Sequence, residues 1–267
     1  IVEKFSFTRS HGVFLIEKSC VYVNGQLIKK KHQKFNMEDM IEIKMPLEAP
    51  PKLEYVVVDD NFLIVNKPSG LVCHRSSTSH KETYVLNELV ALDYPLSKST
   101  VEEEFGLPHR IDKDTEGLVL MSRNDTFYTS AVAAFKNKEV KKKYLCIVQM
   151  NKNLKIEDEI HLSLFYGQDK VLVKPTGVES ITSYKIIAKH GPFAVLEVSP
   201  ITGRRHQIRV ALSHMGSPVV GDTIYGGKTF RRLCLFASEI SHQQFSASLY
   251  SSHIHDINNL LMELLFE

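Results

Sequence analysis

The residues best placed to do chemistry lie in "GLPHRIDKDTEGLVLMSRN", residues 106–124. Asp112 stands between Arg110 and Lys113, with His109 upstream and Asp114 downstream, and the chain then turns apolar at Leu118–Met121. A carboxylate flanked by cations is either a structural ion pair or a reacting group. Neighbouring positive charge favours its ionised form. That suits a nucleophile or an electrostatic stabiliser and does not suit a general acid.

A second constellation is "SPITGRRHQIRVALSHMG", residues 199–216. Ile208, Ala211, Leu212 and Met215 have core-facing helical spacing, Gly216 is a stop, and Thr202-Gly203 opens the segment. Arg204, Arg205, His206, Gln207 and Arg209 then crowd the first two turns. A helix N-terminus already carries partial positive charge, so arginines there call for an anion, phosphate or carboxylate. Arg205 and Arg209 are four apart and would share a face, from which one could reach Asp112. Tyr144 follows Lys141–Lys143 and starts an apolar run; its ring suits either the core or a site, and its hydroxyl needs a partner.

Several chemistries are excluded. His109-Arg110-Ile111-Asp112 is one residue off the kinase catalytic-loop pattern, and no glycine-rich phosphate loop or Asp-Phe-Gly accompanies it. There is no GxSxG elbow, HExxH helix or Walker loop. The four cysteines form no CxxC pair, which argues against a zinc site or a disulfide framework and for reduced thiols. With 33 Lys+Arg against 31 Asp+Glu, global charge does not select a partner; only local clustering can. No apolar run reaches the ~18 residues of a membrane span.

The positioning elements follow from pattern. Asn24-Gly25 between "CVYV" and "QL" is a hairpin signal, and "MEDMIEIKM" reads as a returning strand with Ile41 and Ile43 on one face. Between them Lys29–Lys34 is a solvated charge run or a phosphate-contacting edge. "PLEAPP", with three prolines in six residues, marks a linker. The reading is therefore a small unit 1–46, a linker 47–54 and a larger domain 55–267. In the larger part, strands are expected at Tyr55–Val58, Phe62–Val65, "GLVLMS", "KKYLCIVQM", "ITSYKIIAK", "FAVLEVSP" and "LCLFASEIS". Helices are expected at "TYVLNELVAL", at "TFYTSAVAAFKN" behind an Asn124-Asp125 cap, and as an amphipathic tail "NNLLMELLFE". Strands cluster without regular βαβ alternation, so the fold class is α+β with a mixed, mostly antiparallel sheet and flanking helices.

Taken together, "NKPSGLVCH", "HRIDKDTEGLVLMSRN" and "SPITGRRHQIRVALSHMGSPVVGDTIYGG", in that order, resemble the three motifs of the RluA-type pseudouridine synthases, with "KKYLCIV" where that family keeps a tyrosine. Residues 1–46 resemble a degenerate S4-like RNA-binding unit, with "VYVNG" its recognisable part. The resemblance implies the pseudouridine synthase fold and isomerisation of specific uridines in tRNA or rRNA, with base flipping. It implies Asp112 as nucleophile, Tyr144 stacking on the uracil or serving as base for a sugar proton, and Arg209 pairing with Asp112. Arg110 would fill the space of the flipped nucleotide, and His109, Lys67, Arg204, Arg205, His206 and Gln207 would contact substrate. The reaction conserves atoms, so no metal, redox cofactor or nucleotide cofactor is expected. An intracellular monomer is expected, in the cytoplasm before nucleus or organelle. The family usually has a histidine where Phe236 stands. The alternative is a silent RNA-binding module that kept the fold. A nucleoside hydrolase would call for a second carboxylate or a metal cluster.

Overall fold

Alternation at period two decides which face of each strand is buried, and in the central strands around Leu118–Met121 and Leu145–Val148 both faces are. A computed structural model of the protein describes residues 12–13, 15–16, 19–30, 33, 36, 38–44, 50–75, 84–98, 104–168 and 170–266. "PLEAPP" lies largely outside the described residues, as do Lys31, His32 and Lys34 of the lysine run.

The N-terminal unit is a three-stranded sheet of β1 (Val21–Val23), β2 (Gln26–Leu27) and β3 (Ile41–Ile43), all antiparallel. Asn24 and Gly25 both have positive φ, 49° and 78°, which lets a two-residue loop follow the strand twist. Leu15, Ile16, Cys20, Val21, Val23 and Ile28 form its core, with Ile41 and Ile43 packed against them.

The rest builds on one large sheet in the order β4-β5-β6-β12-β7-β11-β10-β8-β9, with β13 beside β12. The strands are β4 (Glu54–Val58), β5 (Phe62–Lys67), β6 (Glu116–Ser122), β7 (Lys141–Gln149), β8 (Glu157–Tyr166), β9 (Val171–Val173), β10 (Val178–His190), β11 (Phe193–Pro200), β12 (Leu235–His242) and β13 (Phe245–Ser248). The helices are α1 (Leu86–Asp93), α2 (Asp125–Lys136), α3 (Gln207–His214) and α4 (Tyr250–Phe266). Every strand pairing is antiparallel except β6 with β12, which is parallel. The class is α+β, as the lack of βαβ alternation implied. Asn124 caps α2, its side chain accepting from Phe127 N at 2.9 Å. Strands β8 and β9 fill a stretch, 151–180, whose pattern gave no expectation.

On the front face, Leu63, Val65, Val119 and Met121 pack with α1, while Cys146, Val148, Leu196 and Val198 pack with α3. Tyr144 touches both clusters, so it marks the divide between them. On the back face, Leu145, Ile147 and Phe236 meet Ile257, Leu260, Leu261 and Leu264 of α4, which gives the apolar tail its role. Each such buried aliphatic side chain contributes about 1.5–3 kcal/mol relative to exposure. Phe236, where the resembling family has histidine, is fully buried under the Arg232 guanidinium, 5.0 Å from its ring centre.

The β6–β12 junction requires glycine at 117. Its φ is 121°, and a Cβ there would fall well inside contact distance of the Ala237 carbonyl. This close approach lays β6 beside β12 and sets the loop that precedes β6 on the front face.

Candidate active site

That loop carries Asp112, and its position is determined by the segment after β5. Lys67 is fully buried, and its Nζ donates to Pro68 O at 2.9 Å, Leu71 O at 2.7 Å and Lys113 O at 2.8 Å. Gly70 N also donates to Lys113 O at 3.0 Å, and Ser69 Oγ to Asp114 O at 2.9 Å. The Cys73 thiol reaches Ile111 O at 3.4 Å, and the Ile111 side chain is buried in the front core. Burial pushes the Lys67 ammonium down to about 8, opposed by Cys73, Asp114, Asp112 and Glu116. Lys67 is thus a clamp on the loop, with its donors on three carbonyls where substrate contact was expected.

His109 has a similar job. Its Nε2 accepts from Leu120 N at 2.8 Å and its ring stacks on Phe135 at 4.5 Å. Burial, then Lys142, lowers its pKa to about 3, so it is neutral and ties the loop to β6. Arg110 is exposed, and its Nη1 donates to His74 Nε2 at 3.1 Å.

Arg209, ninety-seven residues on, supplies the cation that faces Asp112: Nη1 lies 3.5 Å from Asp112 Oδ2. Its closer partner is Asp222, with Nε–Oδ2 at 2.7 Å and Nη2–Oδ1 at 2.8 Å. The Asp222 side chain is fully buried and Oδ1 also accepts from Ile224 N and Tyr225 N at 3.1 and 3.2 Å. Burial works against charge on Arg209, but Asp222 and then Asp112 outweigh it and keep the guanidinium protonated. The Asp112 side chain is 22% exposed against 4% for Arg209. One oxygen of Asp112 is thus steered from the side by a cation that is already neutralised.

Tyr144 enters from β7. Burial, the nearby Asp112 charge and then Cys73 raise its pKa, so it is a phenol at neutral pH. Lys142, two residues earlier on the same side of the strand, is lowered to about 8 by burial and donates to Thr202 O at 3.3 Å.

Helix α3 begins at Gln207, four residues later than its Thr202-Gly203 opening suggested. Arg204, Arg205 and His206 lie in the turn before it, and Arg205 and Arg209 do not share a helical face. Gln207 causes this: Oε1 accepts from Thr202 Oγ1 at 2.7 Å and Arg204 N at 2.9 Å, while Nε2 donates to Ile181 O and Thr182 Oγ1. It is buried and fastens the turn to β10, in a structural job. Arg204 and Arg205 are exposed; Arg205 lies over the Tyr166 ring at 5.6 Å. His206 lies within electrostatic reach of Asp112 and Arg209.

A clamped, partly exposed carboxylate near a protonated, Asp222-paired arginine and a half-buried phenol can attack carbon, and the arginine can stabilise negative charge that develops there.

The family model described as RNA pseudouridylate synthase matches residues 61–214. The chain belongs to the RNA pseudouridylate synthase family. It is thus an isomerase that acts on uridine in RNA. It is 32% identical over 218 residues to the RNA pseudouridine synthase YlyB of Bacillus subtilis, covering 77% of this chain and 70% of that protein. It is 30% identical over 233 residues to the ribosomal large subunit pseudouridine synthase D of Haemophilus ducreyi, covering 83% and 70%. In fold it is similar to human RNA pseudouridylate synthase domain containing 1, with a TM-score of 0.59, 20% identity and coverage of 76% and 85%.

Asp222, Tyr225 and Lys142 of this synthase were not singled out from sequence. The signal for Asp222 was present: a carboxylate directly after the apolar "PVVG", where burial demands a counter-charge. Among the described residues no group of three metal-ligating side chains occurs, and no helix is long and apolar enough to cross a membrane.

Proposed function

We propose that Asp112 is the nucleophile of this synthase and that its target is a uridine in structured RNA. The names of the relatives favour ribosomal RNA of the large subunit over tRNA. The observation that carries the reading is the setting of Asp112: its loop is clamped by Lys67, its carboxylate faces Arg209 at 3.5 Å, and Tyr144 packs on the cluster that holds the neighbouring Ile111. The target nucleotide leaves its stack and Arg110, exposed at the rim, fills the space behind it. An Asp112 oxygen bonds to C1′ as C1′–N1 breaks, and the electron pair departs with the uracil. The ring turns, C5 bonds to C1′ as the ester opens, the C5 proton leaves to solvent and N1 takes one up, so atoms and charge balance. Tyr144 stays a phenol at neutral pH, which suits stacking on the uracil better than taking a sugar proton.

Arg204 and Arg205, exposed before α3, contact phosphates. The unit around β1–β3 adds a second RNA contact. The test is Asp112→Asn. It should bind an unmodified ribosomal RNA transcript like wild type and form pseudouridine at least about 10³-fold more slowly. Isomerisation within about tenfold of wild type would remove Asp112 from the reaction.

A further inference from the structure

His206 has a backbone that an L-residue rarely adopts, φ 54° and ψ 19°, one residue before α3, and its side chain does not cap the helix. Such backbone at a non-glycine residue persists when surrounding contacts hold it. What holds it is Tyr225. The tyrosine hydroxyl is 2.8 Å from His206 Nδ1, and Val171 N donates to the same hydroxyl at 3.0 Å. The rings meet edge-on at 5.6 Å and 82°. Tyr225 is itself fixed: its N donates to Asp222 at 3.2 Å, its O accepts from Ser213 Oγ at 2.7 Å, and the Arg209 guanidinium lies over its ring at 5.3 Å.

The donor count favours one tautomer. Val171 N–H can only donate, so the tyrosine oxygen accepts there. With Nδ1 unprotonated, the phenolic proton is donated to it. With Nδ1 protonated, the oxygen would accept twice and its own proton would have to turn to solvent. The contact therefore favours His206 protonated on Nε2. The charged groups facing the ring are Asp112 from the loop before β6, Arg205 and Arg209 around the start of α3, and Asp222 from the loop after it. Burial, with the two arginines, outweighs the two carboxylates and lowers its pKa, which agrees with a neutral ring.

We propose that Tyr225 is a positioning residue that fixes His206 as a neutral Nε2–H donor, and that this N–H hydrogen-bonds a carbonyl oxygen of the target uracil beside Asp112. The proposal rests on the reading of Asp112 as nucleophile. A neutral imidazole stabilises a departing uracil anion without handing it a proton. An imidazolium would protonate it, and water opening the Asp112 ester would then leave free uracil and an abasic ribose. The relay thus favours isomerisation over hydrolysis at the same carboxylate.

The experiment uses the full chain, as wild type, Tyr225→Phe and His206→Asn, an amide donor that cannot titrate and tolerates this backbone. Ring ¹⁵N shifts of His206 are followed against pH in the free protein. Tritium release is measured from an unmodified ribosomal RNA transcript labelled at uridine C5, with free uracil assayed alongside. In wild type, His206 should be the Nε2–H tautomer at pH 7. In Tyr225→Phe, which keeps the ring, the tautomers should mix and the titration midpoint should rise. Tritium release should fall about tenfold on the acid side, the scale of one lost hydrogen bond, with free uracil appearing. His206→Asn should lose that acid-side dependence. An Nδ1–H or charged His206 in wild type, or an unchanged tautomer and pH profile in Tyr225→Phe, would overturn the proposal. If wild type releases no tritium from the transcript while the ¹⁵N shifts show the Nε2–H tautomer, the catalytic reading fails and the Tyr225–His206 relay stands.

Discussion

Asp222→Asn tests the asymmetry of the Arg209 pair. Asp222 is fully buried and takes two guanidinium bonds at 2.7 and 2.8 Å plus two backbone N–H groups, whereas Asp112 is partly exposed and 3.5 Å away. Asparagine keeps one acceptor for the backbone but removes the charge and turns an N–H₂ group toward the donor at Arg209 Nε. Breaking a buried ion pair costs about 3–5 kcal/mol. Asp112 offsets part of that, so about 3 kcal/mol is expected. In a chain of this size that is a Tm lower by about 6–12 °C. Asp112→Asn removes a longer, partly solvated contact and should cost about 1 kcal/mol or less. Thermal unfolding of both variants, followed by circular dichroism beside wild type, makes the comparison. A drop of less than about 2 °C for Asp222→Asn, or equal losses for the two, would refute the claim that Asp222 carries the pair while Asp112 is left available to react.

Gly117→Ala should destabilise by more than the ~1–3 kcal/mol of ordinary overpacking, because backbone of β12 cannot retreat from the new Cβ; its soluble yield and Tm check this. Arg205→Ala should weaken RNA binding and reduce the slope of log affinity against log salt by about 1, measured by filter binding over a salt series. The His109 pKa is lowered from 6.5 to about 3, so the unfolded chain binds the extra proton first and stability falls as pH drops below 6.5 toward 3. His109→Gln, which can still accept from Leu120 N, should flatten that acid slope in urea titrations.

The pattern of the chain determined the fold class, the hairpin at Asn24-Gly25, the Asn124 cap and most strands, because apolar periodicity and turn residues act over a few positions. It also drew attention to Asp112, Tyr144 and Arg209, whose charge or polarity conflicts with apolar neighbours. It did not reach the jobs of Lys67, His109 and Gln207. A lysine, a histidine and a glutamine in a motif read as ligands for substrate until their donors and acceptors are matched to particular carbonyls and amides. Those partners are 46, 11 and up to 26 residues away. The true counter-ion of Arg209 was equally hidden. Which of two carboxylates a guanidinium chooses depends on distance and burial. Both follow from where α3 and the loop around Asp222 dock on the front of the sheet. The start of α3 was misplaced for the same reason: the side chain of Gln207 fastens the preceding turn to β10, a tertiary contact that overrides local helix propensity. Short-range physics wrote the elements; hydrogen bonds between parts distant in sequence decided which polar residues support the site and which face it.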